Sequence, residues 1–168
     1  MGVKTPTTDA MNKGKEAHEK LQKHLLGIEK LPIDLDLSFT RSEYHARKDE
    51  GDFIYHGYLD CISFDSKTMV EIKTSGNPWS IGDFEKHPQG AYYAWVTGFR
   101  KIFYITCKFD LTGLKTYYKE FTEEDIEKSK QWAKEASSKI TEGKLRDDLI
   151  DNCCVNPRCP YGSACLFK

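Results

Sequence analysis

The sequence predicts an α/β domain in which a central mixed β-sheet is flanked by helices and followed by a cysteine-rich C-terminal tail. Three observations lead there. Strand-like runs rich in aromatic and β-branched residues come in a group of three and a group of two. Helix-forming stretches precede, separate and follow these groups. Four of the six cysteines crowd into the end of the chain.

Residues 9 to about 26 carry Ala17, Leu21, Leu25 and Leu26 near helical spacing, which predicts an N-terminal helix. Beyond Pro32 the pattern alternates: Leu37 and Phe39 open a first strand, Lys48-Asp49-Glu50-Gly51-Asp52 turns the chain, and residues 53–64 return it as a hairpin. A second turn at Asp65-Ser66-Lys67 leads into Met69-Val70-Glu71-Ile72-Lys73, a third antiparallel strand that completes a meander. Ser75-Gly76-Asn77-Pro78 breaks the sheet, and residues 83–97 read as one aromatic-rich helix stopped by Gly98. Residues 101–107 and 114–121 are strands on either side of the Asp110-Leu111-Thr112-Gly113 turn. Thr122 and Asp125 make a capping-box-like start, with Asp in place of Glu or Gln, for a polar helix reaching about residue 142.

A chain of 168 residues fits one domain with appendages, and 39% hydrophobic residues with nine Phe, nine Tyr and three Trp can fill its core. That composition excludes disorder across the whole chain. No run approaches the roughly 20 apolar residues that cross a bilayer, and the first residues lack an apolar signal core. The expectation is a soluble, cytoplasmic protein with no membrane partner. The net charge of −1 lacks a broad basic excess. However, Arg100, Lys101, Lys108, Lys115 and Lys119 gather around a single acid, Asp110, while residues 120–151 are rich in acids. A local basic strip can coexist with an acidic back.

Alternation along a strand points Glu71 and Lys73 to one side and Val70 and Ile72 to the other. One face is then chemical and the other structural. Pairing around the Asp65-Ser66-Lys67 turn brings Asp60 beside Glu71, where two carboxylates can share a hard cation such as Mg²⁺ or Mn²⁺. A lysine two residues beyond a metal-binding glutamate stabilises charge on a phosphate or favours hydroxide over water. Glu-x-Lys alone is common on amphipathic strands. The ordered set Gly57-Tyr58-Leu59-Asp60, Glu71-Ile72-Lys73-Thr74-Ser75 and Gln89-Gly90-Ala91-Tyr92-Tyr93, on strand, strand and helix, is far more specific.

With that set the sequence resembles the PD-(D/E)xK nuclease superfamily, and within it the RecB-like branch of AddB nuclease domains and CRISPR-adaptation exonucleases. The resemblance covers nearly the whole chain and implies a restriction-endonuclease-like core over residues 1–150, followed by a tail over residues 151–168. Lys13-Gly14-Lys15-Glu16-Ala17-His18-Glu19 looks like the branch's N-terminal helix motif, which makes His18 a metal ligand. By the same resemblance, Asp60, Glu71 and the Ile72 carbonyl join His18 around one or two divalent ions. Lys73 is the catalytic lysine, and Gln89 with Tyr93 matches the Gln-x-x-x-Tyr motif that organises the site. Leu59 stands where the superfamily's eponymous proline would be, a departure the RecB-like branch shares. His24, His45, His56 and His87 have no counterpart in these motifs and are read as structural.

The implied activity is metal-dependent hydrolysis of phosphodiester bonds, foremost as an exonuclease on DNA that is single-stranded or has free ends, serving recombination, repair or mobile-element replication. A structure-specific endonuclease and a non-catalytic nucleic-acid-binding subunit are the alternatives, and the small size leaves room for a protein partner. In the tail, Cys153, Cys154, Cys159 and Cys165 suit metal better than disulfides. Cys159-Pro160-Tyr161-Gly162-Ser163-Ala164-Cys165 looks like the end of the branch's iron–sulfur motif, so a [4Fe–4S] cluster is expected, with Zn²⁺ as the alternative. No cysteine precedes Cys61, so the fourth ligand comes from the Cys153–Cys154 pair or from a core cysteine, or is absent. Cys61 and Cys107 lie in apolar strands and are expected to be buried, inert thiols.

Overall fold

A computed structural model describes residues 8–141. They belong to two compact units that join in sequence between Ser129 and Lys130, and the first holds all five strands and three of the four helices. The tail cysteines lie outside the described residues. No helix among the described residues is long and apolar enough to cross a membrane.

Helix α1 (Asp9–Leu25) starts at Thr8, whose hydroxyl accepts a hydrogen bond from the Met11 N–H at 3.3 Å. Leu21 and Leu25, one turn apart on the same face, are fully buried over Cys61, Val70, Ile72, Ile105 and Cys107. Burying a side chain of this size contributes about 1.5–3 kcal/mol, so this layer fixes the helix to the sheet. His24 closes the end of α1. Its ring accepts from the Leu31 N–H at 3.1 Å and meets the Leu35 carbonyl at 3.0 Å, the structural role expected of it.

The sheet has the order β1-β2-β3-β4-β5. Strands β1 (Arg41–Asp49), β2 (Ile54–Ser63) and β3 (Thr68–Thr74) form the expected antiparallel meander. Strand β4 (Lys101–Cys107) runs parallel to β3, and β5 (Lys115–Glu120) antiparallel to β4. The sheet is therefore mixed, as expected. Leu37 and Phe39 precede β1 instead of opening it. Phe39 is buried in the layer under α1 and its N–H reaches the Leu25 carbonyl at 2.9 Å, so core burial takes it away from the ladder. Cys61 and Cys107 are free and fully buried, as the apolar pattern around them requires.

A parallel step needs a crossover, and here it consists of two helices where the sequence suggests one. Helix α2 (Ile81–Lys86) starts at a Ser80–Asp83 capping box, and α3 (Gln89–Thr97) follows after His87-Pro88. The division has a covalent cause. Proline lacks an N–H and drives the residue before it out of the helical region; His87 has ψ 122°. The restart places Gln89 at the first turn of α3.

Two glycines let α3 approach the sheet. A Cβ on Gly57 of β2 would lie 3.0 Å from the Tyr93 ring, and one on Gly90 would lie 2.0 Å from Tyr104 Oη and 2.9 Å from Phe121 Cζ. Tyr104 is itself stacked on Phe84 at 4.4 Å and buried, so it has little room to yield. Gly90→Ala is therefore expected to destabilise the fold by about 1–3 kcal/mol through overpacking, as read by chemical denaturation. An unchanged midpoint would show that Tyr104 can move aside. Helix α4 (Glu123–Thr141) begins with the reciprocal bonds anticipated for Thr122 and Asp125, at 2.9 and 3.2 Å.

Candidate metal centre

The hairpin register places β1 residue 41 opposite β2 residue 62, and the same offset sets Glu43 across from Asp60. Cys61 opposite Val70 continues the offset that sets Asp60 across from Glu71. Helix α1 lies over this part of the sheet and brings His18 down to it. His18 Nε2 is 3.3 Å from Asp60 Oδ1 and 4.0 Å from Glu43 Oε1. Ligand atoms of His18, Glu43 and Asp60 all lie within 4.8 Å of one another, an arrangement that could hold a metal ion.

The other Asp60 oxygen, Oδ2, accepts the Ile72 N–H at 2.6 Å. Ile72 thus touches the group through its backbone while its side chain fills the core beneath α1. Val70 is buried in that same layer, and Glu71 and Lys73 face the other way, as alternation along β3 demands.

Glu71 is 3% exposed. One of its oxygens pairs with Lys73; the other, Oε2, is buried without a hydrogen-bond partner. Burial, and then the Asp60 charge, push the Glu71 carboxyl up to about 7, although Lys73 pulls it down. His18 feels opposing influences. Burial lowers its pKa, but the carboxylates of Asp60, Glu43 and Glu71 outweigh this and leave it raised. The His18–Glu43–Asp60 group, with the buried orphan oxygen of Glu71 feeling the Asp60 and His18 charges, is a donor set that suits a hard divalent cation such as Mg²⁺ or Mn²⁺.

Lys73 is held from its far side. Its Nζ donates to Gln89 Oε1 at 3.2 Å, Gln89 Nε2 donates to Tyr93 Oη at 2.7 Å, and Tyr93 Oη donates to the Tyr58 carbonyl at 2.5 Å. Residues 89 and 93 are one helical turn apart, so both reach the same spot. Burial raises the Tyr93 phenol to about 12, which keeps it a neutral donor. The ammonium also lies 5.6 Å from the centre of the Trp79 ring.

Seven core residues named from the sequence thus lie in one neighbourhood: His18, Asp60, Glu71, Ile72, Lys73 and, behind the lysine, the Gln89–Tyr93 pair. Two participants escaped that reading. Glu43 joins His18 and Asp60, and Gln22, 7% exposed and one turn after His18, donates to Glu43 Oε1 at 2.6 Å and to the Asp60 carbonyl at 3.2 Å. Glu43 adopts φ +49°, a left-handed conformation that costs a residue with a Cβ about 1–2 kcal/mol. Its signal was the hairpin register opposite Asp60; that of Gln22 was the i+4 spacing from His18. Beside this group opens a cavity of about 400 Å³, lined by Gly14, Lys15, His18, Gln22, Glu43 and Thr74.

The crystal structure of SSO0001 superposes on the chain with a TM-score of 0.58 at 17% identity, over 96% of this chain and 72% of that one. The two chains share a fold. A phage-related exonuclease from Haemophilus somnus 129PT aligns with a TM-score of 0.41 and 16% identity, over 73% of this chain and 77% of that one. No protein-family model and no curated protein matches the sequence.

Proposed function

We propose that the protein is a divalent-metal-dependent deoxyribonuclease with a PD-(D/E)xK core of the RecB-like kind, acting foremost as an exonuclease on DNA. The observation that carries this reading is the convergence of His18, Asp60, Glu71 and Lys73 from three separate elements, with a buried, unpartnered carboxylate oxygen among them. The resemblance of the Gly-x-x-Asp, Glu-x-Lys and Gln-x-x-x-Tyr motifs gives that chemistry its substrate.

In this reading His18, Asp60, Glu71 and the Ile72 carbonyl hold the ion, with Glu43 as an additional oxygen. An ion held there would lower the pKa of water and shield charge on the phosphate. Asp60 is oriented for the task by the Ile72 N–H on its second oxygen. Lys73, steadied by Gln89, presents its ammonium where negative charge grows on the phosphoryl oxygens. Tyr93 fixes the Gln89 amide so that its oxygen faces the lysine. The reading extends to Cys153, Cys154, Cys159 and Cys165, outside the described residues, as ligands of a [4Fe–4S] cluster or of Zn²⁺.

The test is cleavage of end-labelled single- and double-stranded DNA with Mg²⁺ or Mn²⁺, comparing anaerobically purified wild type with Asp60→Ala. Metal-dependent release of label by the wild type alone is expected. DNA binding without turnover would replace the enzyme with a binding subunit, and cutting of closed circles would make it an endonuclease.

A further inference from the structure

Outside the metal centre, three rings cluster on the exposed face of the β1–β2 ribbon. The Tyr58 ring stacks on His45 at 4.6 Å and 12°, and the His56 ring lies edge to edge with His45 in nearly the same plane, at 5.0 Å and 9°. His45 is common to both pairs: Tyr58 covers its face, and His56 extends its plane. His45 Nε2 and His56 Nδ1 share a hydrogen bond of 2.8 Å, and the His56 carbonyl accepts from Tyr92 Oη at 2.9 Å, which fixes the array. The alternate residues Ala46, Tyr55, Gly57 and Leu59 are buried, whereas His45, Arg47, His56 and Tyr58 are exposed, Tyr58 by 62%.

The cluster starts beside the candidate metal group. Tyr58 is two residues before Asp60 on β2, and His45 two after Glu43 on β1, a step of about 7 Å along each strand. At the other end Arg47 stands opposite His56, its side chain 57% exposed. Exposed π-faces, with a guanidinium on one side and carboxylates able to hold a cation on the other, match a strand of unpaired bases joined by phosphates. A duplex, whose bases are already stacked on each other, offers these rings nothing.

We infer that Tyr58, His45 and His56, with Arg47, form a stacking platform for single-stranded DNA that feeds the strand toward the carboxylates of Asp60 and Glu43. The inference rests on the nuclease reading for the direction of travel, but the platform itself is a binding site. A base stacks on the outer face of Tyr58, the ring next to the metal group, with the His45–His56 pair backing it.

The experiment is fluorescence anisotropy of the full-length protein in EDTA, with a labelled oligothymidylate of about twelve nucleotides, an abasic strand of the same length and charge, and a duplex. The wild type is expected to bind the oligothymidylate about ten-fold or more tighter than the abasic strand, and Tyr58→Ala to erase that difference. Tyr58→Phe and Tyr58→Trp keep it, which separates stacking from loss of fold or of the hydroxyl. His45→Ala acts in the same direction as Tyr58→Ala. Equal loss on the base-bearing and abasic strands, no loss at all, or tighter binding of the duplex would overturn the platform. Metal-dependent cleavage assayed in parallel keeps the two ideas apart. Cleavage with unchanged binding by Tyr58→Ala removes the platform and leaves the nuclease, whereas base-dependent binding with no cleavage by the wild type removes the nuclease and leaves the platform.

Discussion

Lys73→Ala is expected to lower the cleavage rate by at least about 10²- to 10³-fold while the protein still binds its metal, because the variant loses only the charge that meets the developing phosphoryl anion. The metal measurement needs a chosen pH. Lys73 is one of the groups that lower the Glu71 pKa, so without it Glu71 holds its proton to a higher pH, and metal affinity falls at neutral pH for that reason alone. Titration calorimetry with Mn²⁺ at about pH 9 removes this competition. Near-normal cleavage by Lys73→Ala would end the assignment of Lys73. Loss of Mn²⁺ binding at the higher pH would instead make Lys73 part of the architecture of the site.

Glu71→Gln is expected to abolish metal-dependent cleavage and, at the same time, to stabilise the metal-free protein above neutral pH. The sign follows from where the proton sits. The folded protein keeps it on Glu71 up to about 7, whereas the ordinary value is 4.5. Between those limits the folded state binds the extra proton, so stability of the metal-free wild type falls as pH rises through the window and is flat beyond it. The full cost at pH 8 is on the order of 3 kcal/mol. Glutamine removes the buried charge and with it this dependence, so thermal melts at pH 8 should show the variant several degrees higher than the wild type in EDTA. Added Mg²⁺ should raise the wild type and leave the variant unmoved. A variant that melts lower than the wild type at pH 8 would show that the Lys73 ion pair outweighs the burial of the Glu71 charge.

The sheet was legible where local signals agree. The turns at Lys48–Asp52 and Asp65–Lys67 and the alternation of residues 69–73 fix the meander and its faces, and with them the meeting of Asp60 and Glu71. The helix over residues 83–97 failed because its aromatic residues hide the break, although Pro88 marks it; the chemistry of one imide nitrogen outranks the composition of fifteen residues around it. Glu43 was missed for another reason. A polar residue in an edge strand looks like solvent-facing decoration until the strand's register is counted against Asp60. Gln22 was equally hidden, since burial of a polar side chain on a helix is a property of its partners, Glu43 and the Asp60 carbonyl, and not of its own segment.

The left-handed backbone at Glu43 has an effect beyond the carboxylate it delivers. Among the described residues strand β1 ends the sheet on one side and β5 on the other, and an open edge is a template on which another extended chain can grow. Strand β5 carries Lys115, Lys119 and Glu120, charges that discourage such growth. Strand β1 carries Arg41, Arg47 and Lys48, and between its paired residues Ser42 and Tyr44 the chain turns out of the extended conformation. A regular row of free amide donors and acceptors is thus interrupted at the residue that helps to hold the cation. The distortion that shapes the centre also makes this edge a poorer template for an incoming strand.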